Sequence, residues 1–270
     1  MENSVSNSVL NISGLSYGYS GVSSSGSSDG RSSHSLTIRD LALTVKEGEI
    51  VCILGASGCG KSTLLNLIAG LLQPNSGKID VVSDGHNHRR IGYIFQQDAL
   101  LPWRTVEANV MIASELWPDI AKVEATALVR QYLQTFNLNE SILKQYPAEL
   151  SGGMRQRVSI IQSLMFNPKL FLLDEPFSAL DFFTKLKLES EFYQLVKEKN
   201  KSAIMVTHDI EESVAMADRV LLMNQDGTFS KEFVIDLGEG NRSPESARGT
   251  ARFSEYYRDI WSELKAVIGQ

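Results

Sequence analysis

The residues best suited to chemistry lie in one glycine-rich segment, GASGCGKST, which runs from Gly55 to Thr63. One apolar run precedes it and another follows it, so the pattern predicts a strand, a tight loop and a helix. Glycines let the backbone N–H groups converge at the start of that helix, where unpaired donors and the helix dipole favour an anion. Lys61 is placed to reach the β- and γ-phosphates of a nucleotide, and the Ser62 hydroxyl to hold Mg²⁺. The nucleotide contacts predicted here come from Gly55, Ala56, Ser57, Gly58, Cys59, Gly60, Lys61, Ser62 and Thr63.

Two acidic residues, Asp174 and Glu175, directly follow the apolar run 170–173. A carboxylate at the end of a buried strand can hold Mg²⁺ directly or through water, which is the role predicted for Asp174. Glu175 is placed to orient and polarise an attacking water as a general base. Together with the glycine-rich segment, this pair predicts a site that binds a nucleotide with Mg²⁺ and activates a water beside its phosphates.

Two further motifs carry a resemblance to a known family. LSGGMRQR, at residues 150–157, resembles the signature motif of the ATP-binding-cassette family. LFLLDEP, at residues 170–176, resembles the Walker B strand of that family with its adjoining glutamate. The resemblance runs in the family's order from about Tyr19 to about Met223, and it implies an ATPase.

The same resemblance implies catalytic roles for two residues at strand ends. Gln96 matches the family's glutamine, whose amide ligands Mg²⁺ or binds the attacking water, and Gln97 is its immediate neighbour. His208 matches the switch histidine, which donates to the γ-phosphate and holds Glu175 or the water in place. The implied catalytic set is Lys61, Gln96, Glu175 and His208, and the implied metal set is Ser62, Gln96 and Asp174.

The glycine-rich segment at residues 55–63 is a P-loop, and the resemblance implies further nucleotide contacts outside it. Tyr19 lies where an aromatic residue of the family stacks on adenine, with Tyr17 as the alternative. The signature helix offers a second anion site at its N-terminus, which in the family meets the γ-phosphate held by the other subunit. The resemblance thus implies a head-to-tail dimer that closes on two ATP molecules. The contacts implied for this shared site come from Ser151, Gly152, Gly153 and Asp181.

The segment FQQDALLPWRTVEANV, at residues 95–110, is similar to importer ATPases of the nitrate, sulfonate and taurine group. This similarity implies integral-membrane permease subunits as partners, beside a second copy of the chain or a paralogous ATPase. It also implies an extracytoplasmic solute-binding protein as an indirect partner. The chain would then lie peripherally on the cytoplasmic face of the inner membrane. The apolar stretch 100–103, which ends in Trp103, fits either a docking site for the permease or the edge of the core.

Two other functions are compatible with an ATP-binding cassette. The alternative is a soluble ATPase acting on nucleic acid or ribosomes, but such proteins usually carry two cassettes, long coiled coils or zinc-binding cysteines. This chain has one cassette, no heptad arm and no CxxC pair. A nucleotide-binding regulator without turnover would lack Glu175 or His208, and both are present.

Composition narrows the class of protein further. The hydrophobic content of 43% is ordinary for a globular domain, and the net charge of -6 argues against a nucleic-acid partner. The N-terminal MENSVSNS lacks the basic start and apolar core of a secretion signal. No apolar run approaches the roughly 20 residues of a membrane-spanning helix. Cys52 and Cys59 form neither a disulfide framework nor a metal set.

The elements that must position these groups alternate between strand and helix. The expected class is α/β: a P-loop NTPase core (RecA-like, with a mostly parallel sheet), an N-terminal antiparallel β part and an inserted helical lobe. Strands are predicted at 9–19, 36–47, 49–54, 78–82, 90–95, 170–173, 203–207, 219–223 and 232–237. Helical periodicity predicts helices at 106–116 and 120–136.

A single ATPase domain is expected over residues 1–270. Its nucleotide-binding core is expected to take 9–99 and 166–240, and the helical lobe with the signature motif 100–165. The chain would therefore leave the core once, shortly after Gln96, and would re-enter it before the strand 170–173 that precedes Asp174.

Three segments lie apart from the predicted chemistry. The Ser/Gly-rich stretch 20–35 is predicted to be a flexible loop. Residues 243–270 are predicted to form a helical tail whose apolar face packs on its own domain, with a partner contact as the alternative. His86 and His88 are interpreted as part of a solvated turn rather than a metal site.

Overall fold

Alternating strands and helices build two sheets in the computed structural model, which describes residues 8–19, 36–82, 91–116, 122–238 and 243–268. The loop predicted at 20–35 and the pair His86 and His88 lie outside these residues. The strands are β1 (Ser8–Tyr17), β2 (Ile38–Lys46), β3 (Ile50–Gly55), β4 (Ser76–Val81), β5 (Ile91–Ile94), β6 (Leu170–Asp174), β7 (Ser202–Thr207), β8 (Arg219–Met223) and β9 (Phe229–Val234). The helices are α1 (Lys61–Ala69), α2 (Val106–Val110), α3 (Ile112–Leu116), α4 (Lys122–Thr135), α5 (Gly152–Leu164), α6 (Phe182–Glu198), α7 (Ile210–Met216), α8 (Pro244–Ala247) and α9 (Ala251–Ile268), with short 3-10 helices at Glu140–Lys144 and Pro147–Glu149.

The larger sheet has the strand order β5-β6-β7-β3-β8-β9, and every neighbouring pair is parallel except β8 with β9. Its central strands are apolar on both faces, as in β3, where Cys52 packs into one core cluster and Ile53 into the other. Parallel strands end at the same edge, so the loops after β3, β5, β6 and β7 lie side by side. The predicted P-loop core with a mostly parallel sheet is confirmed.

The smaller sheet is antiparallel, with the order β2-β1-β4. Leu15 of β1 and Leu43 of β2 share a buried cluster with Leu64 and Leu65 of α1. The predicted N-terminal antiparallel part is therefore confirmed, and it packs against the helix that begins at the P-loop. Because β1 ends at Tyr17, Tyr19 lies beyond the strand.

The helices α2 to α5 fill the interval between β5 and β6 and form the predicted inserted helical part. The prediction of one continuous helix over 106–116 is wrong, because α2 ends at Val110 and α3 begins at Ile112. Both the backbone N–H and the hydroxyl of Ser114 donate to the Met111 carbonyl, at 3.0 and 2.7 Å. This local hydrogen bonding replaces the regular helical ladder at the break.

The last strand also differs from its prediction at 232–237, because β9 covers Phe229–Val234. A turn brings Asn224 N–H to the Thr228 carbonyl at 2.8 Å, with Gly227 at a φ of 81°. Antiparallel pairing therefore starts at Met223 opposite Phe229. The turn sets the register, and hydrophobic alternation alone does not reveal its position.

The C-terminal helices pack on α6 and α7. Phe253, Ile260 and Leu264 of α9 are buried in the same core cluster as Val214 of α7, so the expectation that the apolar face packs on its own domain is confirmed. Trp261, on the same helix, remains 45% exposed. None of the helices described above is long and apolar enough to span a lipid bilayer.

Candidate active site

The glycine-rich loop between β3 and α1 is tight because two of its glycines have no room for a side chain. A Cβ at Gly55 would lie 2.7 Å from the Met223 carbonyl oxygen. Gly60 has a φ of 107°, and a Cβ there would lie 2.9 Å from the Thr37 carbonyl oxygen. The helix α1 begins directly after this loop, at Lys61. Its unpaired N–H groups form the anion site that a helix N-terminus offers.

Lys61 is buried over this loop. Its Nζ donates to the carbonyl oxygens of Gly55 and Ala56 at 2.7 and 2.9 Å, and the Cys59 Sγ lies 4.0 Å away. Both oxygen acceptors are neutral, so these contacts position the ammonium without neutralising its charge. Burial raises the pKa of the Cys59 thiol, which keeps it protonated as a packing residue rather than a nucleophile.

A cavity of about 410 Å³ opens in front of this loop. Tyr19 borders it with half of its surface exposed, and its hydroxyl lies 3.2 Å from the Thr63 Oγ1. Tyr17 packs edge-to-face on Tyr19 at a ring distance of 5.0 Å and contacts the core of the smaller sheet. Of the two tyrosines, Tyr19 lines the cavity and Tyr17 supports it. The lining residues are Tyr19, Thr37, Ser57, Gly58, Gly60, Lys61, Ser62, Thr63 and Glu175.

The P-loop serine and the strand-end aspartate meet beside this cavity. Ser62 Oγ donates to Asp174 Oδ1 at 2.9 Å. Burial raises the pKa of Asp174, with the Glu175 charge adding to the rise, while the Ser62 hydrogen bond and Lys61 oppose it. A hydroxyl and a partly buried carboxylate that lacks a full counter-charge are ligands suited to Mg²⁺. These two side chains therefore fit the metal that the sequence predicts.

Glu175 has a backbone conformation that sequence reasoning did not anticipate. Its φ of 45° lies in the left-handed region, which is unusual for a residue other than glycine. The Glu175 N–H donates to the Val206 carbonyl of β7 at 3.0 Å, and this bond holds the strained turn in place. The side chain contacts residues that follow the neighbouring strands β5 and β7.

Three of the predicted catalytic side chains converge at one oxygen. His208 Nδ1 lies 3.2 Å from Glu175 Oε2, and Gln96 Nε2 donates to the same oxygen at 3.3 Å. Gln96 Nε2 also lies 3.4 Å from Ser178 Oγ. Gln96, rather than its neighbour Gln97, therefore reaches Glu175. The three residues follow β5, β6 and β7, which are adjacent in the sheet.

The signature residues are placed elsewhere. Ser151 caps α5, with its Oγ accepting from Met154 N–H at 3.4 Å, and it is exposed. Asp181 caps α6 by accepting from Thr184 N–H at 3.1 Å, and this hydrogen bonding lowers the pKa of Asp181. Neither these two residues nor Gly152 and Gly153 line the cavity in front of the P-loop. Within one chain the structure does not bring the signature motif to the P-loop.

Sequence reasoning missed Thr37, which lines the cavity, and the contacts behind His208. Thr37 directly precedes β2, and its carbonyl oxygen lies beside Gly60 of the P-loop. Thr207 Oγ1 donates to Glu212 Oε2 at 2.6 Å and accepts from Asp209 N–H at 3.0 Å. The pattern T-H-D-x-x-E over 207–212 is the signal that could have identified these two contacts.

The model of the ABC transporter family matches residues 38–178, which include the P-loop, the signature helix and both strand-end carboxylates. The chain belongs to the ABC transporter family. As a member it binds and hydrolyses ATP. The fold agrees with a dimeric ATP-binding cassette solved in a post-hydrolysis state with ADP and Pi, at a TM-score of 0.71 and 29% identity over 84% of this chain and 99% of that one.

Several curated proteins resemble this ABC chain over most of its length. An uncharacterized ABC transporter ATP-binding protein of Bacillus subtilis is 42% identical over 236 residues, which is 86% of this chain and 90% of that protein. The taurine import ATP-binding protein of Escherichia coli is 39% identical over 231 residues, 81% of this chain and 89% of that protein. A bicarbonate transport ATP-binding protein of Synechococcus elongatus is 42% identical over 193 residues; the match takes 70% of this chain but only 29% of that longer protein.

Proposed function

We propose that this chain is the ATP-hydrolysing subunit of an ABC importer that moves a small solute of the nitrate, sulfonate or taurine class through a separate permease. The observation that carries the hydrolysis part of the proposal is the convergence of Gln96 and His208 on Glu175 beside the P-loop cavity. The relative named for taurine import supports the solute class, and the relative named for bicarbonate transport supports transport of a small solute more generally.

Each site residue then has a defined task in hydrolysis. Lys61 and the N–H groups of the P-loop hold the phosphates, and Tyr19 stacks on the adenine. Glu175 accepts a proton from the attacking water, while His208 and Gln96 orient its carboxylate. Mg²⁺, held by Ser62, Asp174 and Gln96, would neutralise charge on the phosphates.

The signature residues complete the site of a second subunit. Ser151 and Asp181 lie away from their own cavity, and the N-terminus of α5 at Ser151 is exposed. An exposed helix N-terminus can bind the γ-phosphate held by another cassette. We therefore infer a head-to-tail pair, formed with a second copy or a paralogous ATPase, that closes on two ATP molecules.

The docking site for the permease is proposed around Trp103. Leu100 is buried and belongs to the core, whereas Trp103 is 72% exposed. The buried Asn109 accepts from Leu101 N–H at 2.7 Å and donates to the carbonyl oxygens of Leu101, Arg104 and Thr105 at 3.1, 3.1 and 3.0 Å. A rigid turn thus presents one exposed indole a few residues after Gln96, which suits contact with a partner.

The remaining assignments follow from the importer proposal. The subunit would lie on the cytoplasmic face of the inner membrane, held there by the permease, and an extracytoplasmic binding protein would deliver the solute. We assign no nucleic-acid partner, in keeping with the net charge of -6.

Uptake by the reconstituted transporter tests the proposal. Vesicles that contain the permease, its binding protein and this chain are loaded with Mg·ATP, and uptake of labelled taurine, nitrate and bicarbonate is measured. We expect uptake of taurine or nitrate, and its loss when Glu175→Gln replaces the wild-type chain. Uptake of bicarbonate alone, or ATP hydrolysis without uptake of any of the three, would contradict the proposed solute class.

A further inference from the structure

Five charged side chains lie behind His208, and we call them the buried charge cluster. Lys185 and Glu189 come from α6, Asp209 and Glu212 from the start of α7, and Arg248 from the turn between α8 and α9. The side chains of Glu189 and Glu212 are 0% and 3% exposed. Carboxylates this deeply buried need nearby cations or protons to remain in the folded protein.

Lys185 is shared among three carboxylates. Its Nζ lies 2.6 Å from Asp209 Oδ2, 3.7 Å from Glu212 Oε2 and 3.9 Å from Glu189 Oε1. Only the Asp209 contact is a hydrogen bond. The position of this ammonium therefore depends on how well the other two carboxylates are compensated by different groups.

Arg248 compensates Glu189. Its Nη2 donates to Glu189 Oε2 at 2.7 Å, while Glu189 Oε1 has no hydrogen-bond partner in the described part of the chain. Without this guanidinium, Lys185 is the one cation left within 4.0 Å of Glu189 among the described residues. Coulombic attraction would then draw Lys185 toward Glu189 and away from Asp209.

Both chain neighbours of His208 are connected to the buried charge cluster: Asp209 belongs to it, and Thr207 contacts it. Asp209 caps α7 by accepting from Glu212 N–H at 3.2 Å. Thr207 donates to Glu212 and accepts from the Asp209 N–H. The side chain of His208 is itself 61% exposed, so the position of its imidazole depends on the backbone on either side of it. His208, Asp209 and Arg248 also line one cavity of about 450 Å³ with Trp261 of α9.

We propose that the helical tail positions His208 for ATP hydrolysis, with Arg248 as the positioning residue. Arg248 acts by neutralising Glu189, which leaves Lys185 bound to Asp209 and the His208 turn in its observed place. The inference rests on the proposed role of His208. It assigns an effect on the chemical step, transmitted through His208, to a tail whose residues lie outside the P-loop, signature and strand-end motifs.

Steady-state ATP hydrolysis by Arg248→Met and Arg248→Lys tests this proposal. We expect Arg248→Met to lower kcat about tenfold with little change in the KM for ATP, because the phosphate site is untouched. Arg248→Lys retains a cation near Glu189 and should recover most of the rate. Arg252→Met is the matched control, since Arg252 lies on the same tail but pairs with the exposed Asp236.

A second pair of variants distinguishes a loss of His208 positioning from a general disturbance of the folded protein. In a His208→Ala background, adding Arg248→Met should change the residual kcat less than about twofold, because the group being positioned is gone. An equal loss with and without His208 would overturn the proposal. If His208→Ala alone keeps the wild-type rate, the proposed role of His208 fails; if it lowers the rate but a folded Arg248→Met does not, only this inference fails.

The double variant Glu189→Gln/Arg248→Met keeps the test decisive should Arg248→Met unfold. It removes the buried carboxylate together with its cation, so Lys185 keeps its bond to Asp209. We expect this variant to fold and to hydrolyse ATP at close to the wild-type rate. A folded double variant as slow as His208→Ala would contradict the proposed path through Glu189 and Lys185.

Discussion

Glu175 joins an unusual backbone to a shared side-chain oxygen. Its left-handed φ of 45° costs on the order of 1–3 kcal/mol for a residue other than glycine. The bond from its N–H to Val206 stabilises that turn, and Gln96 and His208 both contact its Oε2. Strain at this residue is thus matched by contacts that hold one carboxylate orientation, as expected for a general base.

The ionisation of Glu212 depends on its surroundings. Burial raises the pKa of Glu212 from 4.5 to about 7, the charges of Glu189 and Asp209 add to the rise, and Lys185 and the Thr207 hydroxyl oppose it. Between these values the folded protein keeps a proton that the unfolded chain has released. The contribution of Glu212 to stability is therefore present below pH 4.5 and is lost as the pH rises to about 7.

We predict that Glu212→Gln flattens this pH dependence. The free energy of unfolding of the variant, relative to the wild type, should rise by up to ~3 kcal/mol between about pH 5 and about pH 8. Denaturant unfolding at several pH values measures the difference. Glu211→Gln, at the exposed neighbouring position, is the control and should leave the profile unchanged. Parallel profiles for Glu212→Gln and the wild type would show that Glu212 does not titrate in this range.

At the scale of elements, the turn between β5 and α2 connects the active site to the exposed surface. It begins with Gln96, which contacts Glu175, and presents Trp103 on a loop held by Asn109. A permease helix docked there would move with the cassette when the ATPase pair closes.

Trp103→Asp should uncouple hydrolysis from transport. It places a charge in a proposed apolar contact and leaves the phosphate site intact. We expect the basal ATPase rate of the isolated subunit to persist, while stimulated ATPase and solute uptake by the assembled transporter fall together. Both are measured in one reconstituted preparation. Val234→Asp is the matched control, because Val234 is 66% exposed on β9, at the opposite edge of the sheet from β5. Full uptake by Trp103→Asp would exclude this docking site.

Elements fixed by local chemistry are the ones that can be predicted from the sequence. The strand, loop and helix around Gly60 follow from glycine spacing and flanking apolar runs, and the structure has them as β3 and α1. The break at Met111 and the start of β9 depend on a side-chain hydrogen bond and a turn, which hydrophobic periodicity does not register. The contacts of Thr37 and the approach of Arg248 to Glu189 join distant parts of the chain, so no local pattern could reveal them.

At the scale of the whole molecule, the proposed pairing joins two groups of residues that lie apart within one chain. The P-loop side contains the cavity, Lys61 and Glu175, and the signature side presents Ser151 at an exposed helix end. In the proposed head-to-tail pair, the P-loop side of one cassette and the signature side of the other would together form a complete site.

Slowing hydrolysis should therefore trap the paired state. Glu175→Gln at saturating ATP is expected to shift from monomer toward dimer, because nucleotide binds the closed pair better than the open one. Light scattering measures the change. Adding Ser151→Arg to the same variant should abolish the dimer without weakening ATP binding, since Ser151 lies away from its own cavity. A Glu175→Gln chain that stays monomeric, even when joined to its permease, would contradict the sandwiched arrangement.

The central claim, that Glu175 is the base of an ATP-hydrolysing site, is tested most directly by the turnover of Glu175→Gln. Steady-state ATPase of the purified variant and wild type is compared at saturating Mg·ATP, with ATP affinity measured alongside. We expect turnover to fall at least about 10²-fold with affinity retained, because the amide keeps the shape of the carboxylate but cannot accept the proton. Near-normal hydrolysis by the variant would contradict it.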